Sequence, residues 1–79
     1  MNQFIYIIDT NKHLNILNRI SGVFSKRRVI ISSLQATIQE NSQRIVIGIT
    51  ETTEIAKKIS KQLKKQVDVI SVNLFEQTM

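Results

Sequence analysis

Residues 17–34, Leu17 to Leu34, read LNRISGVFSKRRVIISSL. Apolar residues at Leu17, Ile20 and Phe24, flanked by Ile16 and Val23, recur at the three- and four-residue spacing of one helix face. The pattern then runs through Lys26-Arg27-Arg28 into the β-branched run Val29-Ile30-Ile31. A helix passes into a strand with no loop of any length between them. Near the other end, KQLKKQVDVISV (Lys61–Val72) repeats the same grammar.

Working outward, Phe4–Ile8 alternates aromatic and β-branched residues and predicts a strand. Asp9-Thr10-Asn11 closes it with turn-forming and helix-capping chemistry. The first helix is expected from about His13, with Leu14, Leu17, Ile20 and Phe24 on its stripe. Gly22 costs that helix about 1 kcal/mol relative to Ala, so it is expected to let a neighbouring backbone approach closely.

Val29–Ile38 is the expected second strand. Val29 and Ile31 share one face and Leu34, Ala36 and Ile38 the other, so a bulge at Ser32-Ser33 is expected to bring both sets inward. Glu40-Asn41-Ser42-Gln43 supplies a hairpin turn, and Ile45, Ile47 and Ile49 define a third, antiparallel strand. Thr52 or Thr53 caps a second helix with Glu54 at its positive end, and Ile55, Ala56, Ile59 and Leu63 form its buried stripe. Val67–Phe75 closes the order β-α-β-β-α-β. Right-handed crossovers put both helices on one side, giving an α+β, ferredoxin-like fold with a four-stranded antiparallel sheet.

Seventy-nine residues suffice for one domain, expected over 1–79, with a small core. No Cys is present, so disulfides and thiolate metal sites are excluded and a reducing cytoplasm is the expected location. No apolar run approaches the ~20 residues of a membrane span. The net charge of +5 comes from 11 Lys and Arg against 6 Asp and Glu, the excess lying at Lys26–Arg28 and Lys57–Lys65. Such a surface suits nucleic acid, an anionic membrane, an acidic protein, or solvent alone.

This fold serves many functions, which the residues can separate. An RNA-recognition sheet needs aromatics on both central strands. Tyr6 offers one, but Arg44–Ile49 has none, which assigns Tyr6 to an edge or interface and makes nucleic acid an unexpected partner. His13, the lone histidine, reads as a surface or capping residue rather than a ligand or base. The acids are scattered, no Ser has a His or Asp partner by pattern, and Asp9–Leu14 lacks the Gly and Arg of a phosphate loop. No catalytic residue and no metal site is expected.

The two segments quoted above resemble those of the small regulatory subunit of acetolactate synthase (acetohydroxyacid synthase), whose N-terminal part is an ACT domain. The first matches the family's L-S-R-V-x-G-L-F-S-x-R-G-Y-N-I-x-S-L and the second its K-Q-L-x-K-x-V-D-V-x-x-V. Arg19, Ser25, Arg27, Ser33, Gln62 and Asp68 are coincidences that core packing does not require. The resemblance implies a non-catalytic subunit that binds and activates a thiamine-dependent catalytic partner in branched-chain amino-acid synthesis. Thiamine diphosphate, Mg and FAD would belong to that partner and none to this chain. It also implies a homodimer, with Leu17, Ile20, Gly22 and Phe24 packing the first helix.

The family's effector loop falls on Asn11, Lys12, His13, Leu14 and Asn15, with Ile30 as a sixth position entering strand two. The family's N-x-x-G stands here as Lys12 and Asn15, and its second Asn as Ile30. Valine or another branched-chain amino acid is therefore expected to bind weakly or not at all, since a buried Ile30 offers no hydrogen bond. Two alternatives remain at this point: a free-standing homodimeric ACT domain that binds an amino acid and regulates another protein, and a small basic RNA-binding domain.

Overall fold

In the computed structural model, which describes residues Met1–Gln77, six elements follow in the order β1 (Asn2–Asn11), α1 (Ile16–Lys26), β2 (Ile31–Ile38), β3 (Ser42–Glu51), α2 (Thr53–Lys64) and β4 (Val69–Gln77). The strands form one antiparallel sheet in the order β2-β3-β1-β4. This is the ferredoxin-like βαββαβ architecture. Among the described residues, no helix is long and apolar enough to cross a membrane.

Alternation along β1 decides which side is inside. Phe4, Tyr6, Ile8 and Thr10 point beneath the helices and are buried, opposite Ile49, Ile47, Ile45 and Gln43 of β3. From α1 come Ile16, Ile20, Val23 and Phe24, and from α2 Ala56, Ile59 and Leu63. Full burial of each Val, Ile, Leu or Phe among these stabilises by roughly 1.5–3 kcal/mol relative to leaving it exposed. The Tyr6 and Phe24 rings meet edge-to-face at 5.3 Å and 81°, a geometry worth about 0.5–1.5 kcal/mol beyond burial. Tyr6 is thus core, not edge, because its hydroxyl finds a buried acceptor at the Ala56 carbonyl, 2.8 Å away.

Thr52 caps α2, its hydroxyl accepting from the Ile55 N–H at 3.3 Å, and Lys58 pairs with Glu54 one turn earlier. The first helix starts at Ile16, later than the apolar pattern suggests. The Asn15 N–H donates to His13 Nδ1 at 3.2 Å, a local turn that competes with the helix. Leu14, read as part of the stripe, is 99% exposed.

The connection after α1 also differs from expectation. Arg28 takes φ 57°, in the left-handed region, and the Val29 N–H donates back to the Phe24 carbonyl at 3.1 Å. That turn buries Val29 and throws Ile30 outward, leaving it 85% exposed rather than buried. Asp68, at φ 74°, makes the matching turn after α2, so β4 begins at Val69 and Val67 lies exposed.

The expected bulge is present, the register of β2 on β3 shifting between Ile31 and Ser33, and the Ser32 hydroxyl donates to the Gly48 carbonyl at 2.8 Å. It turns Leu34, Ala36 and Ile38 to the helix side, opposite the buried Ile47, Ile45 and Gln43. The helices do not reach that far, however. Leu34 and Ile38 remain 44% and 61% exposed, so β2 is an uncovered edge strand rather than part of the core.

Gly22 departs from its reading as well. A Cβ built there would meet nothing within 4 Å, so none of the described residues uses the space it leaves. Gly48 is the glycine held by a close approach: a Cβ there would lie 2.5 Å from Ser33 Oγ.

Candidate functional site

The β1–α1 loop opens at the β2 end of the helix layer. Strand β1 stops at Asn11, whose N–H donates to the Asp68 carbonyl at 2.8 Å, and the chain turns through Lys12–Asn15 into α1. Between this loop and the uncovered part of the sheet lies a cavity of about 460 Å³. Its walls are Lys12, His13 and Leu14 from the loop, Ile16 and Leu17 from α1, Ile38 from β2 and Gln43 from β3. Four of those seven are aliphatic, so the site suits a small molecule with an apolar part and an anionic group for Lys12.

The proposed effector positions do not all meet here. Lys12, His13 and Leu14 line the cavity. Asn11 leans the other way, towards Asp68. Asn15 occupies the cap position of α1 with no side-chain capping bond. Ile30 lies at the far end of the sheet, in a second hollow with Met1, Arg28 and Glu51. Ile38 and Gln43 were missed by sequence reading; the one clue was their place at the two ends of the β2–β3 hairpin, beside the loop.

Behind the loop an ion pair fixes its second half. Arg19 from α1 reaches Asp68 at 2.9 Å and the Val67 carbonyl at 3.3 Å. The Arg19 hydrogen bond holds the Asp68 carboxyl below its usual range. A second pair, Arg44 to Asp9 at 2.8 Å, lies on the open face of the sheet and lowers the Asp9 pKa through its hydrogen bond. Both acids therefore serve as structural anions. Tyr6, sealed in the core, has no ring face to offer a nucleic-acid base.

A family model described as "AHAS small subunit-like ACT domain" matches residues 6–71. The chain belongs to that family. It is 37% identical over 57 residues to acetolactate synthase small subunit 2, chloroplastic, of Arabidopsis thaliana, covering 72% of this ACT chain. The same stretch is 12% of the plant protein, so the chain spans a small part of its relative's length. Among solved structures, the acetolactate synthase small subunit of Thermotoga maritima superposes with TM-score 0.82 at 20% identity, over 94% of this chain and 47% of that one. The ACT domain of GTP pyrophosphokinase from Chlorobium tepidum gives TM-score 0.81 at 17% identity, over 94% and 97% of the two chains. At such identities the structural matches speak for the ACT fold, which serves more than one kind of regulated protein.

Proposed function

We propose that this ACT domain is a non-catalytic regulatory module that binds the catalytic subunit of acetolactate synthase and favours its active arrangement. The observation that carries this reading is the family match across residues 6–71, joined by a sequence relative that is itself such a small subunit. The mechanism is a population shift: the module binds one conformation of the catalytic subunit more tightly and so enriches it. Thiamine diphosphate, Mg and FAD belong to the catalytic subunit in this scheme, and branched-chain amino-acid synthesis is the pathway served. The test is direct. The catalytic subunit from the same organism should co-purify with this chain and turn over pyruvate faster with it than alone; unchanged turnover at saturating chain would defeat the proposal.

The module works as a homodimer in this scheme, paired through β2. That strand presents a free edge beside the exposed Leu34 and Ile38, and unprotected edges of this kind pair. Antiparallel pairing of two β2 strands sets the Ile30 end of one copy beside the Ile38 end of the other, and so beside the effector loop. The effector positions that one copy leaves apart come together across two. Sedimentation should give a dimer at micromolar concentration, and Leu34→Lys with Ile38→Lys should give a monomer; a monomeric parent would refute the pairing.

A second reading rests on the cavity itself. A space of about 460 Å³ with one cation and four aliphatic walls would also suit a free-standing ACT domain that binds an amino acid and regulates another protein. A marked thermal shift with an amino acid, without association with the synthase, would favour it.

A further inference from the structure

Gly22 sits in the interior of α1, where glycine weakens a helix, yet none of the described residues packs into the space it leaves. Helix geometry puts Gly22 on the same face as Arg19 and Lys26, three residues before and four after it. That face lies away from the buried stripe of α1, and its Arg19 reaches Asp68 beyond the end of α2. Immediately beside it runs a groove of about 320 Å³ between the helices, lined by Val23, Lys26 and Arg27 of the α1 end and by Gln62 and Gln66 of the α2 side.

The charge around this groove is one-sided. Along both helices Glu54 is the sole acid, and it is already paired with Lys58. Lys26 and Arg27 are exposed on one bank, and Lys61 and Lys65 are exposed on the helix and cap that form the other. Asp9 and Asp68 are engaged by Arg44 and Arg19 and so do not offset this field. Gly22, beside the groove, leaves open space for a close main-chain approach, and the cations on both banks select for negative charge.

We propose that the outer surface of the two helices, centred on Gly22 and the Val23–Gln62 groove, docks an acidic segment of the protein partner. This rests on the partner reading given above and assigns it a surface distinct from the β2 edge and the effector loop. Gly22 gives up helix stability in the free chain so that the partner's backbone can lie against α1. The two glutamines supply hydrogen bonds, and Lys26 and Arg27 pair with partner carboxylates.

Association with the acetolactate synthase catalytic subunit of the same organism, measured by calorimetry at low and high salt, tests this. The parent should bind more weakly as salt rises. Gly22→Gln should raise the melting midpoint of the free chain by several degrees, because Gln is the better helix former. The same substitution should weaken association by about tenfold or more through steric exclusion. Lys26→Glu with Arg27→Glu should weaken it comparably and flatten the salt dependence. Lys57→Glu lies about 140° around α2 from Gln62 and should bind like the parent. If the parent binds and Gly22→Gln and the charge reversals bind equally well, the docking surface is wrong while the partner reading stands. If Lys57→Glu is as damaging as Lys26→Glu, net charge rather than this groove governs binding, and the proposal fails. If the parent does not bind at all, the partner reading fails and this proposal with it.

Discussion

The Tyr6 hydroxyl donates a 2.8 Å hydrogen bond to the Ala56 carbonyl, tying the central strand to the first turn of α2. Ala56 is a helix residue, so its carbonyl serves Tyr6 in addition to the helix ladder. Burial pushes the tyrosine pKa up, and the hydroxyl stays a donor at any ordinary pH. Tyr6→Phe keeps the ring and its edge contact with Phe24 but loses this bond. It should cost about 1–2 kcal/mol and lower the melting midpoint by roughly 4–8 °C per kcal/mol. A variant melting with the parent would show that the bond contributes nothing net.

Gly48 and Ser33 face each other across the β2–β3 pair, and a methyl group on Gly48 would lie 2.5 Å from Ser33 Oγ and 3.4 Å from Ile5 Cδ1. Gly48→Ala should therefore destabilise by about 1–3 kcal/mol, as overpacking does. Removing the obstructing oxygen should recover part of that loss. The Gly48→Ala, Ser33→Ala double variant should be more stable than the sum of the singles predicts, giving a coupling of about 0.5 kcal/mol or more in a thermodynamic cycle. Strict additivity would place the clash elsewhere.

Two carboxylates link the stability of the fold to pH on the acid side. Asp68 and Asp9 are both lowered, chiefly by the hydrogen bonds from Arg19 and Arg44. A depressed folded-state pKa means the unfolded chain binds protons first, so stability rises with pH through this range. The contribution is present above the ordinary aspartate value of about 4 and fades as pH falls through the lower folded values. Asp68→Asn with Asp9→Asn should flatten the stability–pH curve below about pH 4. Denaturant midpoints at several acidic pH values would show it, and an unchanged slope would remove these pairs from the account.

Valine should bind no tighter than about 1 mM, equivalent to about −4 kcal/mol. Its carboxylate can meet Lys12 and its side chain Leu17 and Ile38, but none of the residues lining the cavity is an acid for the ammonium group. A charge left without a partner in a partly buried site is costly. Calorimetry on the unmodified chain checks this, and micromolar affinity would mean that an acceptor arrives from a second copy.

Most of the architecture is legible in the sequence because the two periods, about 3.6 for α1 and α2 and 2 for the strands, change cleanly at polar or basic boundaries. The bulge at Ser32-Ser33 is legible too, since the apolar residues of β2 switch faces there. What the pattern hides is coverage. Leu34 and Ile38 carry the signature of a core strand, yet they sit beyond the reach of two short helices. Ile30 is misread against its own strand pattern: Val29 and Ile31 turn inward as their alternation says, so Ile30 between them faces out, and its expected burial follows only from the effector-loop resemblance. Tyr6 looked like an interface residue because its acceptor is a main-chain carbonyl fifty residues away, which carries no sequence signal. The candidate cavity was half visible, through Lys12–Leu14, while Ile38 and Gln43 join it only because the hairpin returns to the same end of the sheet.

The strand order β2-β3-β1-β4 has a consequence for how the chain is born. One of the two central strands, β1, is made before the other five elements, but both of its neighbours come later: β3 begins at Ser42 and β4 at Val69. As the ribosome releases it, the apolar run Phe4–Ile8 has no strand to pair with until β3 has emerged, and no second neighbour until β4 is out. The sheet therefore closes in two steps, its middle once β3 is out and its last edge once β4 has emerged, through contacts distant in sequence, which slows folding. Until then an apolar strand is left bare, and it is there that chaperones or misassembly would find the chain.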